Sequence, residues 1–199
     1  MRPLILAAVL ALPLTPVHAA GGGGGSTTPP KQTQTTQDCF KVRQWDPDQG
    51  KYVRFSQKVN GVWDAAIGKC VRPDRSGYLG DDALYGAVRE LAYAGRYDSA
   101  TQVLDQMSDQ AADEVLTYRG FIARKQGKLE LADVFYTRAI EANPDNILAR
   151  SYMGQGLVAA GDKVAALQQL REIQARGGAG TWAEASLRDA IATGTTYSY

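Results

Sequence analysis

The chain has 199 residues, 22 Lys and Arg against 21 Asp and Glu, two cysteines and a single histidine, His18. A near-neutral chain with no basic cluster is not read as a nucleic-acid binder, and no polybasic segment is present to hold it on an anionic membrane. With His18 near the N-terminus and no other imidazole, Ser-His-Asp and Cys-His nucleophile systems have no base, and two cysteines alone do not make a zinc site. The carboxylates are scattered without a paired constellation, so the chain is read as having no catalytic site, no metal and no cofactor.

Met1-Arg2 is a short positive start, Leu4–Leu14 is an apolar run of eleven, and small residues follow at Ala19-Ala20. This order predicts a secretory signal peptide over residues 1–20, cut after Ala19 or Ala20. The run is shorter than the roughly 20 residues a membrane-spanning helix needs. The expected location is therefore the periplasm or the exterior, without stable membrane insertion. Residues 21–37, GGGGGSTTPPKQTQTTQ, contain nothing apolar to bury and are expected to form a flexible linker.

Residues 38–76 hold both cysteines and two of the three tryptophans. A motif W-D-x-x-x-G-K-x-V occurs twice, at Trp45–Val53 and at Trp63–Val71. Asp and Gly bracketing a tight turn predict a β-hairpin in each copy, with Trp packing across the strands against Val. In an oxidising compartment Cys39 and Cys70 have only each other as partners, so a disulfide is expected to staple this small module. The pair lacks the C-x-x-C spacing of a redox site.

From Asp81 onward the apolar pattern is helical. Gly95, Gly127 and Gly161, spaced 32 and 34 residues apart, each separate two apolar-periodic segments. The units run 81–108, 113–146 and 147–178. Ala100, Ala132 and Ala166 recur in register, Gly120 and Gly154 recur in the second and third units, and Val88 stands at that place in the first. Pro144 ends the second unit, and Asp145 is positioned to cap the helix that follows. Thr181-Trp182-Ala183-Glu184 opens a last helix as a capping box, and residues 181–194 are expected to cover the exposed end of the array.

The second unit, DEVLTYRGFIARKQGKLELADVFYTRAIEANPDN, resembles the tetratricopeptide repeat family at Gly120, Gly127, Ala132, Tyr136, Ala139 and Pro144. The resemblance implies an all-α fold: an α-solenoid of three such hairpins plus a C-terminal capping helix, here preceded by the small β-hairpin module. It also implies a concave face, lined by the first helix of each hairpin, that binds a protein or peptide. Carried over, the partner-binding positions include Tyr85, Arg89, Tyr93, Phe121, Arg124 and Gln155. The Lys-and-Asn set that clamps a terminal carboxylate in some members is not present. An alternative role is glycan or cell-wall binding by the disulfide module, with the repeats as a spacer.

Overall fold

The computed structural model describes residues 29–73 and 78–196; the expected signal peptide and the glycine run lie outside them. Twelve elements follow in the described residues. They are α1 (Gln34–Gln37), β1 (Phe40–Asp46), β2 (Lys51–Asn60), β3 (Val62–Asp64), β4 (Lys69–Val71), then α2 (Asp81–Tyr93), α3 (Tyr97–Leu104), α4 (Asp113–Lys125), α5 (Leu129–Ala142), α6 (Ile147–Ala159), α7 (Lys163–Ala175) and α8 (Trp182–Thr193). The body is helical and repeat-like, with a small four-stranded sheet before it. Among the described residues no helix is long and apolar enough to cross a membrane.

Both W-D-x-x-x-G-K motifs form hairpins. Asp46 Oδ1 accepts from the backbone N–H of Asp48 and of Gln49, both at 3.1 Å, and Asp64 Oδ1 accepts from that of Ala66 at 2.8 Å. Gly50 and Gly68 then close the turns at φ 60° and 62°, a backbone region that costs a side chain energy and glycine nothing. The expected Trp–Val packing is corrected by the register. Trp45 faces Tyr52 and Trp63 faces Cys70, because valine stands one residue beyond the position opposite and so points to the other side of the strand. Trp45 meets the Tyr52 ring edge-on at 5.3 Å, and Lys69 Nζ lies 3.3 Å from its ring centroid. Parallel pairing of Trp45 with Val71 joins the hairpins in the order β2-β1-β4-β3. The Cys39–Cys70 disulfide is formed and ties the start of the first hairpin to the last strand.

The expected flexible linker is also corrected over its described part. Thr33 N-caps α1, Thr35 is buried, and the segment is fixed on the side of α2 by one carboxylate. Glu90 Oε1 accepts from Thr33 N (2.7 Å), Thr36 N (3.1 Å) and Thr36 Oγ1 (2.7 Å), and Oε2 accepts from Thr33 Oγ1 (2.7 Å). Arg96 Nη1 donates to Thr36 O at 2.9 Å, and its guanidinium stands 4.6 Å from the Phe40 ring centroid. Composition concealed this docking because it rests on hydrogen bonds to a buried charge and not on apolar area.

The helices pair as α2/α3, α4/α5 and α6/α7, and α8 packs on α6 and α7. Each pair turns in the same way. The N–H of Arg96, Lys128 and Asp162 reaches back to the carbonyl of Leu91, Ala123 and Leu157 at 2.9, 2.9 and 2.8 Å. This is the six-residue Schellman closure, and it requires the left-handed conformation that Gly95, Gly127 and Gly161 adopt. Ala100, Ala132 and Ala166 are buried where the helices of a pair meet. At Gly120 an added Cβ would lie 2.5 Å from the Tyr136 ring, and at Gly154 it would lie 2.6 Å from the Leu187 methyls. The cap of α6 is Asn146, whose side chain accepts from Ala149 N at 2.7 Å, and not the expected Asp145. Arg150, at a position usually apolar in the resembled family, is buried and donates to the Pro144 carbonyl through Nε and Nη2.

One core runs from Val62 and Val71 in the N-terminal module and Leu79 in the connection after it through Leu84, Val88 and Leu91 to Tyr118 and Tyr152. The module therefore covers the outer side of α2. A second core of Val158, Ala166, Ile173, Leu187 and Ala190 joins α8 to the third hairpin. The helical body is closed at both ends.

Candidate functional site

The first helices α2, α4 and α6, together with α8, are joined along one side by stacked aromatic rings. Tyr85 on α2 meets Tyr118 on α4 edge-on at 5.5 Å, and Tyr93 meets Phe121 at 5.7 Å. Tyr152 on α6 lies 4.9 Å from Phe121, 6.3 Å from Tyr118 and 6.0 Å from Trp182 of α8. The hydroxyls of Tyr93 and Tyr152 are 2.5 Å apart, so α2 touches α6 across α4. Tyr118, Tyr136 and Tyr152 are fully buried. Burial is the largest influence on all three hydroxyls and raises their pKa, to about 12 for Tyr136, so they stay protonated donors at neutral pH.

The six expected partner-binding residues divide here. Tyr85, Arg89 and Tyr93 on α2 are half-buried and keep a surface. Phe121 and Arg124 on α4 are 3% and 7% exposed, and Gln155 on α6 is 0% exposed. These last three form the wall behind the surface. Phe121 is enclosed by rings from α2 and α6, and Gln155 lies under α8, where its Nε2 stands 3.4 Å from Ser186 Oγ. At Gln155 the cause is α8, which packs on α6, and at Phe121 it is the position of α4 between α2 and α6. Lys125, half-buried with Nζ 5.6 Å from the Phe121 ring centroid, stands at the open side.

Charge is segregated along this side. Near the N-terminal ends of α2 and α4 the carboxylates of Asp81, Asp82, Asp109, Asp113 and Glu114 crowd together. Partial burial first, then the other four, raises the Glu114 carboxyl above the ordinary carboxylate range. Near the C-terminal ends stand Arg89, Arg124 and Lys125. Burial, and then Arg124, brings the Lys125 amine down to about 8. Asp81 and Asp82 in the first turn of α2, Asp113 and Glu114 in the first turn of α4, and Arg124 and Lys125 in its last turn sit where the helix dipole favours them. The arrangement offers ring faces and charges of opposite sign at its two ends. Among the described residues no three His, Cys, Asp or Glu side chains are grouped to hold a metal ion.

Sequence reasoning counted Lys125 among the groove positions of the second unit but passed over Tyr118 and Tyr152, and read Trp182 only as part of the closing helix. Tyr118 and Tyr152 stand nine residues before Gly127 and Gly161, and an aromatic repeated in that register was the available signal.

The described part of the N-terminal module carries a second surface. Tyr52 is 54% exposed and Trp63 half-buried beside Gln34, Asp38, Lys41 and Arg43 in a shallow depression. No family model, no curated protein and no solved structure matches the chain.

Proposed function

We propose that this protein is an exported scaffold of the tetratricopeptide type, a short α-solenoid, that binds a protein or peptide segment in the cell envelope along the side formed by α2 and α4. The carrying observation is the half-buried band of Tyr85, Arg89, Tyr93 and Lys125, fixed in place by the buried rings of Tyr118, Phe121 and Tyr152. Tyr and Arg on a rigid backing are the residue types that dominate binding energy at interfaces. The charge gradient gives a bound segment a direction, with its basic part toward Asp82 and Glu114 and its acidic part toward Arg89 and Lys125. The reading of export rests on the N-terminal sequence pattern and is supported by the disulfide, which is rare in reducing compartments. The test is affinity capture from envelope extract with wild type and an Arg89→Ala/Lys125→Ala double variant whose fold is checked by circular dichroism. A specific protein recovered by wild type and lost by the variant supports the reading; identical recovery by both overturns it.

A second reading, glycan binding by the N-terminal module, is favoured by Tyr52 and Trp63 beside polar groups in one depression. Co-sedimentation of the full chain with insoluble cell wall, reduced by Tyr52→Ala, supports it. No co-sedimentation removes it.

A further inference from the structure

We propose that the groove between α5 and α6 binds a carboxylate bearing a single unbranched apolar chain, with Arg124 receiving the carboxylate at its floor. The groove holds about 500 Å3 and is lined chiefly by Leu129, Tyr136, Met153, Gly156 and Leu157 around Arg124. Its volume falls within the roughly 300–1,000 Å3 usual for small-ligand sites.

Arg124 sets the polar end of the ligand. Its side chain is buried with the guanidinium beside the Tyr136 hydroxyl, yet Nε and Nη2 meet no hydrogen-bond acceptor in good geometry among the described residues. None of the ion pairs found among those residues includes it. Its guanidinium carbon lies 5.7 Å from the Phe121 ring centroid and 5.9 Å from that of Tyr152. Desolvating a guanidinium without completing its hydrogen bonds is costly, and a carboxylate fits its planar donors two at a time.

The walls set the rest of the ligand. Apart from Arg124 and Ala160, every lining residue belongs to α5 or α6; the backbone N–H groups of Ala132–Tyr136 and Met153–Leu157 bond along those helices, and Leu129 and Glu130 stand in the first turn of α5, which has no side-chain cap. A peptide laid along the middle of these two helices would find no backbone partners for its amides there, whereas a hydrocarbon chain has none to satisfy. Glu130 and Asp133 stand exposed at the rim. They oppose a second negative charge at the mouth, so the site selects a monoanion.

The experiment is calorimetric titration of the full chain with decanoate, decanol and decanedioate, each below its aggregation limit, repeated with Arg124→Met. Saturable binding of decanoate is expected, with decanol and decanedioate weaker by about ten- to a hundredfold, the range of a hydrogen bond to a charged group. Arg124→Met should erase the preference of decanoate over decanol. No binding of decanoate, equal binding of decanol, or a preference that survives in Arg124→Met overturns the proposal. If Arg124→Met does not fold, the comparison of the three compounds on wild type decides alone.

Discussion

Replacing Glu90 tests whether the N-terminal segment is held by a single buried carboxylate. Glu90 accepts four hydrogen bonds from Thr33 and Thr36 and is 5% exposed. A hydrogen bond to a charged group contributes about 1.5–3 kcal/mol net, but four such values do not add. Once the acceptor is gone, residues 33–37 can leave α2 and bond to water, so the loss is limited to what docking contributes. That docking also includes burial of Thr35, the Arg96-to-Thr36 bond and the bond from Trp63 N to Thr35 Oγ1. Removing the carboxylate also relieves its own desolvation. Glu90→Ala is therefore expected to cost about 2–4 kcal/mol in urea unfolding. Glu90→Gln should cost about 1 kcal/mol. Its amide oxygen can keep the three donors now on Oε1, and Thr33 Oγ1 can accept from the new NH2 group. Hydrogen exchange at the Thr33 and Thr36 amides should accelerate strongly in Glu90→Ala and little in Glu90→Gln. A Glu90→Ala protein within about 0.5 kcal/mol of wild type, with the Thr36 amide still protected, would refute this reasoning.

Three further outcomes are expected. Cys39→Ala/Cys70→Ala should lose about 3–4 kcal/mol of unfolding free energy, since the bridge closes a loop across a separation of 31 residues; a loss under about 1 kcal/mol in denaturation with and without reductant would contradict that. Gly154→Ala should destabilise by about 1–3 kcal/mol by driving a Cβ into the buried Leu187, while Gly156→Ala, with only a 3.4 Å contact, should be neutral or slightly stabilising; equal melting temperatures for the two would refute the contact. The Lys125 amine should titrate near 8, below its usual 10.5. The unfolded chain then binds more protons between those values, so stability should rise as pH rises through that window, and Lys125→Met should remove the rise; acylation of Lys125 no faster than that of other lysines at pH 8 would count against it.

The parts of the fold legible in the sequence were those set by local backbone chemistry. The glycines at 95, 127 and 161 announced three identical turns because few other residues adopt φ near +75° cheaply. The Asp–Gly bracketing of Asp46–Gly50 and Asp64–Gly68 announced the hairpins for the same reason. Features set by distant polar contacts were not legible. Residues 33–37 read as a linker because their threonines have no apolar face, and their partner Glu90 lies more than fifty residues away. The surface of Tyr85, Arg89 and Tyr93 on α2 was legible. Exposure was misjudged at Phe121, Arg124 and Gln155, because the face a helix leaves open depends on its neighbours. Here α4 lies between α2 and α6, and α8 covers α6.

The central claim is that the side formed by α2 and α4 is where a partner docks. Its most direct test is photo-crosslinking in the intact envelope of the producing cell, with a photoreactive residue placed singly at Tyr85, Arg89 or Lys125 and, for comparison, at Val164, which is 80% exposed on α7. The account predicts one discrete crosslinked protein from the first three positions and none from Val164. Crosslinking at Val164 as strong as at Arg89, or no discrete product at any of the three positions, would contradict it.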